Sequence, residues 1–151
     1  MKDYEVIKYI ESGGPNYDLK MLETYLKQIE SQNILSWAIV IKKNMLHIGN
    51  IKIDPINHKN LYGEYGILIG DKDAWGKGYG KEASIEVINF CFKKLLLRKI
   101  NLGLVAENKK ALNMYKSLGF VEEGRYKNHT LLDDKYTDVI RMALFNSKSY
   151  G

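Results

Sequence analysis

The stretch YGILIGDKDAWGKGYGKEA, residues 65–83, decides the fold. Its first six residues read as an apolar strand closed by Gly70, and its last ones open a helix that apolar spacing carries from about 78 to 97. Between them Gly76, Gly78 and Gly80 crowd a turn that runs straight into that helix. The first N–H groups of a helix have no intrahelical partner and share the positive end of its dipole, so a glycine-rich approach of this kind suits a phosphate. Downstream, KINLGLVAEN contains a second strand over 99–106. A short helix over 109–118 follows, capped by Asn108 and stopped by Gly119 ahead of Phe120. Tyr115 on that helix, together with a phosphate site, points to an enzyme that holds a nucleotide-containing cofactor and works at its far end.

Working outward, SWAIVI and MLHIGNIKI are split by Lys42-Lys43-Asn44 and read as an antiparallel hairpin. Residues 54–62 read as a loop leading to the strand at 64–70. Leu19, Leu22, Leu26 and Ile29 share one face of a helix over 18–32. A short strand or helix end over 4–10 precedes the Ser12-Gly13-Gly14-Pro15 break. The chain closes with strands at 121–126 and 136–145, joined by a polar loop holding Asp133-Asp134-Lys135. This alternation predicts a three-layer α/β architecture with a mixed sheet. At 151 residues, one domain over 1–151 is expected, with length enough for a substantial core.

Composition narrows the partners. Hydrophobic content of 45% and charged content of 27% are ordinary globular values. No apolar run approaches the ~20 residues needed to span a bilayer, and MKDYEVIKYI has no signal core, so neither membrane nor secretion is expected. Cys91 is the only cysteine, which excludes an internal disulfide and suits a reducing cytoplasm. It falls on the Ala83, Val87, Cys91, Leu95 stripe of the long helix, a packing position rather than a nucleophile's. The net charge of +5 favours anionic partners. Its one tight cluster, Lys93, Lys94, Arg98 and Lys99, ends a helix, where cations offset the dipole. No aromatic-basic stripe accompanies the charge, which argues against nucleic acid. His47, His58 and His129 lie far apart without a close second ligand, so no metal site is expected.

Two phosphate motifs fail on spacing. A Walker A loop needs G-x-x-x-x-G-K-[ST]; Gly70 to Gly76 is one residue too long, and Gly78 stands where Ser or Thr would hold magnesium. A Rossmann fingerprint starting at Gly76 would need glycine at position 81, which is Lys81, and no suitably placed ribose-binding carboxylate follows. What remains, W-G-K-G-Y-G-K-E-A followed by A-E-N-K-K-A-L-N-M-Y-K-S-L-G-F, resembles the GNAT superfamily of acetyl-CoA-dependent N-acetyltransferases. That family's cofactor loop is [QR]-x-x-G-x-[GA]; Gly78 and Gly80 match, with Trp75 at the Gln/Arg place. A tryptophan there is similar to the branch with the ribosomal-protein alanine acetyltransferases and many small-amine acetyltransferases. The second half, N-x-x-A-x-x-x-Y-x-x-x-G-F, matches at Asn108, Ala111, Tyr115, Gly119 and Phe120. The likeness covers about three-quarters of the chain. The elements that usually open the family look short or partly missing here, on the side that helps wall the acceptor.

The resemblance implies a mostly antiparallel sheet whose one parallel strand pair splays apart to hold acetyl-CoA, with no metal. Backbone N–H groups of Gly76, Lys77, Gly78, Tyr79, Gly80 and Lys81 would cradle the pyrophosphate, next to Trp75, with Lys77 and Lys81 free to add charge. The pantetheine arm would pair with the backbone of Ile67, Leu68 and Ile69, and Asn108 would cap its helix, hydrogen-bond the cofactor, or both. An alkyl amine of pKa near 10 is only ~0.1% neutral at pH 7, so the acceptor needs a base. The resemblance assigns Glu64 to that role, with Glu107 as the fallback, and Tyr115 to protonating the departing thiolate. Asp133, Asp134 and Asp138 read as turn residues that could also face a cationic acceptor. The expected reaction is direct transfer of the acetyl group to a primary amine in a ternary complex. The acceptor is a protein or peptide N-terminal amine, or a polyamine, aminoglycoside or amino sugar; a homodimer is compatible with it. The alternative from another class is a catalytically degenerate module that binds acetyl-CoA as a sensor.

Overall fold

The computed structural model describes residues 4–9, 20, 23, 24, 27 and 34–147. Its frame is a six-stranded sheet in the order β1-β2-β3-β4-β6-β5. Strand β1 (Leu35–Ile41) and β2 (Leu46–Asn57) form the expected hairpin, running from Leu35 opposite Ile53 to Ile41 opposite Leu46 with a register shift between Ile39 and Val40. β3 (Tyr62–Ile69) continues antiparallel to β2. β4 (Lys99–Val105) lies parallel to β3, and a parallel neighbour requires a crossover, which the helix α2 (Tyr79–Lys93) supplies. The helix α3 (Lys109–Ser117) then leads to β5 (Val121–Leu132) and β6 (Lys135–Phe145), with β6 inserted between β4 and β5.

The core forms where the central strands meet the helices. Ile51, Ile53, Ile100, Leu102, Ile140 and Met142 are almost fully buried, as alternation on central strands dictates. Cys91 is wholly buried on α2 as the stripe predicts, and desolvation pushes its thiol up to about 12. That holds it protonated and inert.

Several boundaries differ from expectation, each for a physical reason. The long helix ends at Lys93 rather than near 97: the N–H groups of Leu95 and Leu97 bond to the carbonyls of Phe90 and Cys91, and Leu96 turns the chain at φ 55°. Leu97 is thereby buried while Leu96 faces solvent, so the apolar Leu95-Leu96-Leu97 run is a turn that imitates helical spacing. Residues 54–57, expected in a loop, extend β2 past a register shift between Ile53 and Ile56. The polar loop expected between the last two strands is mostly strand. β5 runs to Leu132, and the connection is a two-residue turn with Asp133 and Asp134 at φ 47° and 63°, the left-handed pair a tight hairpin requires.

At the start of the chain a single helical turn, α1 (Tyr4–Ile7), stands where a strand was one of two expectations. Tyr4 donates a hydrogen bond to Asp133, and Lys8 and Glu5 pair with Asp133 at 3.9 Å and Lys72 at 3.3 Å. Exposed pairs of this kind contribute little stability. Lys20, Glu23, Thr24 and Lys27 are helical and exposed, on the polar side of the predicted 18–32 helix. Its apolar face, and the Ser12–Pro15 break, lie outside the described residues. Among the described residues no helix is long and apolar enough to cross a membrane.

Candidate active site

The site begins where β3 and β4 part. Their parallel pairing comprises three residue pairs, Tyr62–Lys99, Gly63–Ile100 and Glu64–Asn101. β3 continues to Ile69 and β4 to Val105 without pairing further with each other. The edge of β3 that faces β4 is therefore free of strand partners beyond Glu64. The N–H of Gly70 donates to Ile48 of β2 at 2.9 Å, and alternation then directs Leu68 to β2 and Tyr65, Ile67 and Ile69 to the gap. Of the three residues expected to meet a pantetheine arm, Leu68 thus has its peptide groups turned the other way. The carbonyl of Ile69 accepts the indole N–H of Trp75 at 2.9 Å, so Trp75 ties the glycine turn to the strand end.

The turn itself is built for open N–H groups. A 3₁₀ segment, Lys72–Ala74, is capped by the Asp71 carboxylate, which accepts from Asp73 N–H, and is pinned by buried Ala74. Gly76 and Gly78 follow at φ 72° and 82°, where other residues are strained. Gly78 is the N-cap of α2 and offers no side-chain cap. Among the described residues, no acceptor meets the backbone N–H of any residue from Gly76 to Lys81. A Cβ on Gly80 would stand 3.1 Å from Ile69 and 3.7 Å from Met114, so glycine there lets the first turn of α2 settle against β3 and α3. The side chains of Lys77 and Lys81 are exposed.

Below the turn lies a buried tyrosine cluster. Ser84 donates to the carbonyl of Gly80 at 2.5 Å, so the 2.6 Å contact with Tyr65 has the tyrosine hydroxyl donating to Ser84. The accepting carbonyl shares a peptide unit with Lys81 N–H, one of the open donors. Burial pushes the Tyr65 phenol up to about 12. Tyr115, on α3, meets Tyr65 and Phe120 edge-to-face at 5.9 and 5.7 Å. It is 7% exposed, and burial, followed by the neighbouring Tyr65, raises its phenol above the ordinary value. Its hydroxyl has no hydrogen-bond partner among the described residues. Asn108 caps α3 by accepting from Ala111 N–H at 3.2 Å.

Glu64, the last residue of β3 paired with β4, borders a cavity of about 190 Å³ with Tyr9, Tyr65, Tyr126, His129 and Arg141 on its wall. Both carboxylate oxygens of Glu64 are engaged by Arg141 of β6, at 2.7 and 2.8 Å. Nothing in the local sequence announces this fork; the one available signal was a charged residue inside the apolar run VIRMALF. Tyr65 and Ser84 were likewise not singled out by sequence reasoning. Glu107 accepts a hydrogen bond from Thr137 of β6. Asp133 and Asp134 make the hairpin turn, while Asp138 accepts Asn128 N–H at 3.0 Å and pairs with Lys127 at 3.2 Å. The bond from Asn128 is the main reason the Asp138 carboxyl lies below its ordinary value. Among the described residues no group of His, Cys, Asp or Glu is placed to hold a metal ion.

The sequence profile of the acetyltransferase (GNAT) domain matches residues 1–121. Spermidine N(1)-acetyltransferase of Vibrio cholerae is 34% identical over 107 residues, 71% of this chain and 60% of that protein. The Escherichia coli K12 protein of the same name is 28% identical over 127 residues, 84% of this chain and 67% of that one. The chain therefore spans about two thirds or less of these two relatives. A crystal structure of the Vibrio cholerae spermidine N-acetyltransferase in complex with CoA and spermine superposes with a TM-score of 0.87 at 27% identity, over 99% of this chain and 87% of that one.

Proposed function

Since the chain belongs to the GNAT acetyltransferase family, whose fold its parted six-stranded sheet reproduces, we propose that it transfers the acetyl group of acetyl-CoA to a primary amine, a polyamine being the preferred acceptor. The observation that carries this reading is the run of six open backbone N–H groups, residues 76–81, beside a strand edge left free by the splay. Acetyl-CoA supplies an activated acyl group and a thiolate leaving group. The chain holds its pyrophosphate on the N–H groups of 76–81 at the positive end of α2. Ile67, and Ile69 through its N–H, present the edge for the pantetheine amides, and Asn108 stands at the head of α3.

Glu64 takes the amine proton, directly or through water, which removes the obstacle of an acceptor that is almost wholly protonated. The Arg141 fork leaves it room to do so, since a carboxylate has about four acceptor positions and the fork fills two. Tyr115 remains protonated because burial disfavours the phenolate. Its unpartnered hydroxyl is the donor for the thiolate. No serine or cysteine nucleophile is needed, so both substrates bind before transfer.

A polyamine is preferred on two grounds. Both relatives bear that acceptor in their names. The cavity presents aromatic rings, and one of them, Tyr126, already carries a cation, the Arg141 guanidinium 5.8 Å from its centre. Trp75, which suggested the ribosomal-protein alanine branch, spends its indole N–H on Ile69 and so says nothing of the acceptor. Buried Cys91 suits a reducing cytoplasm. The experiment is release of free CoA across a panel of spermidine, spermine, an aminoglycoside, an amino sugar and a peptide with a free N-terminus. Spermidine or spermine should give the highest kcat/KM. A higher value for the peptide would reassign the acceptor, and binding of acetyl-CoA without turnover on any amine would leave a sensor.

A further inference from the structure

We infer that Arg141 is the positioning residue of the site: it holds the Glu64 carboxylate at the mouth of the splay by reaching over β4. The inference rests on the reading of Glu64 as the group that takes the amine proton. Four strands take part. Arg141 on β6 is paired with Gly103 on β4 and with Gly124 on β5. A Cβ on Gly103 would come within 2.6 Å of Arg141 Nη1 and 3.4 Å of Val139 Cγ1, so the guanidinium passes through a slot that any side chain at 103 would close. Gly124, on the other flank, leaves open space. Beyond β4 the two terminal nitrogens grip Glu64 on β3, Nη1 to Oε1 at 2.7 Å and Nη2 to Oε2 at 2.8 Å.

The place of this grip explains its use. Glu64 is the last residue of β3 with a partner on β4, and the strands separate directly after it. A glutamate at such a point has three free torsions, no neighbouring side chain at Gly103 to lean on, and a cavity on its open side. A bidentate guanidinium fixes both position and plane of the carboxylate, which a lysine's point charge cannot. The Tyr126 ring, 5.8 Å from the guanidinium carbon, steadies Arg141 in turn. Reaction rates depend steeply on such placement, with a displacement of ~1 Å costing roughly 10²-fold. The fork also keeps the Glu64–Arg141 pair neutral as a unit, so a cationic acceptor is not repelled by an isolated guanidinium.

The test compares Arg141→Met, Arg141→Lys and Arg141→Ala with Glu64→Gln. Met and Lys at 141 should lower kcat by about 30-fold while KM for acetyl-CoA stays within about twofold, because the cradle lies at the other end of β3. Lysine keeps the charge without the fork, so its failure to restore kcat separates positioning from simple charge balance. In Arg141→Ala, guanidinium ions far below denaturing concentration should enter the Gly103 slot and raise kcat several-fold. They should do nothing for Arg141→Ala combined with Glu64→Gln, and urea should do nothing for either. A role confined to stability would lower the melting temperature and leave kcat and the guanidinium response flat. Wild-type kcat in the Met and Lys variants, with Glu64→Gln impaired, would overturn the inference and leave the reading of Glu64 standing. Wild-type kcat in Glu64→Gln would remove that reading itself, and the positioning role with it.

Discussion

Tyr115 and Arg141 mark the two limits of what single residues disclose. The place of Tyr115 on its helix was legible because its neighbours travel with it in the chain: Asn108, Ala111, Gly119 and Phe120 fix that helix and its stop. Arg141 was not, because its partner Glu64 lies 77 positions away, and the register that aligns Arg141 with Gly103 is set by the sheet. Leu68 differs for a local reason: it lies on the strand beside the gap, but pleat alternation turns its peptide groups to β2. Tyr115→Phe removes one oxygen and keeps the ring that Tyr65 and Phe120 pack against. That change should lower kcat by roughly 10²-fold with acetyl-CoA affinity nearly unchanged, measured by steady-state kinetics beside calorimetric binding. Turnover within about twofold of wild type would confine Tyr115 to packing.

Among the elements, the glycine turn and the start of α2 were read from sequence almost residue by residue, since glycine spacing and a helix start are local signals. The end of α2 and the length of β5 were not. The first is a turn whose apolar leucines continue helical spacing, and the second is an edge strand of mostly exposed polar residues, held by pairing with β6 rather than by apolar alternation. The turn carries the prediction at this scale. Gly78→Asp brings a carboxylate into a left-handed position among the open N–H groups, adding both strain and a charge that repels phosphate. Acetyl-CoA should raise the melting temperature of the wild-type protein by mass action and fail to do so for the variant. An equal shift in both proteins would mean that the pyrophosphate binds elsewhere.

For the whole molecule, the layering of helices on a mixed sheet was readable from the alternation of patterns, whereas the insertion of β6 between β4 and β5 was not, because it rests on pairing between distant segments. The packed interior also sets an alkaline limit. Cys91 and Tyr65 are held protonated up to about 12 by burial, while the same groups in the unfolded chain ionise from ordinary values of 9.0 and 10.0. The unfolded state therefore sheds protons first, and stability that is complete below pH 9 is lost as pH rises toward 12. Urea midpoints should fall across that window, and fall less in Tyr65→Phe and Cys91→Ala; a flat profile would mean that these groups are solvated. The splay should deliver an acetyl group directly to an amine. A single turnover with acetyl-CoA labelled in its acetyl group, with spermidine present and products separated by mass, tests it. The label should pass to spermidine, with none on the protein at any time. Label trapped on the chain, or acetyl-CoA bound and never consumed by any amine, would contradict it.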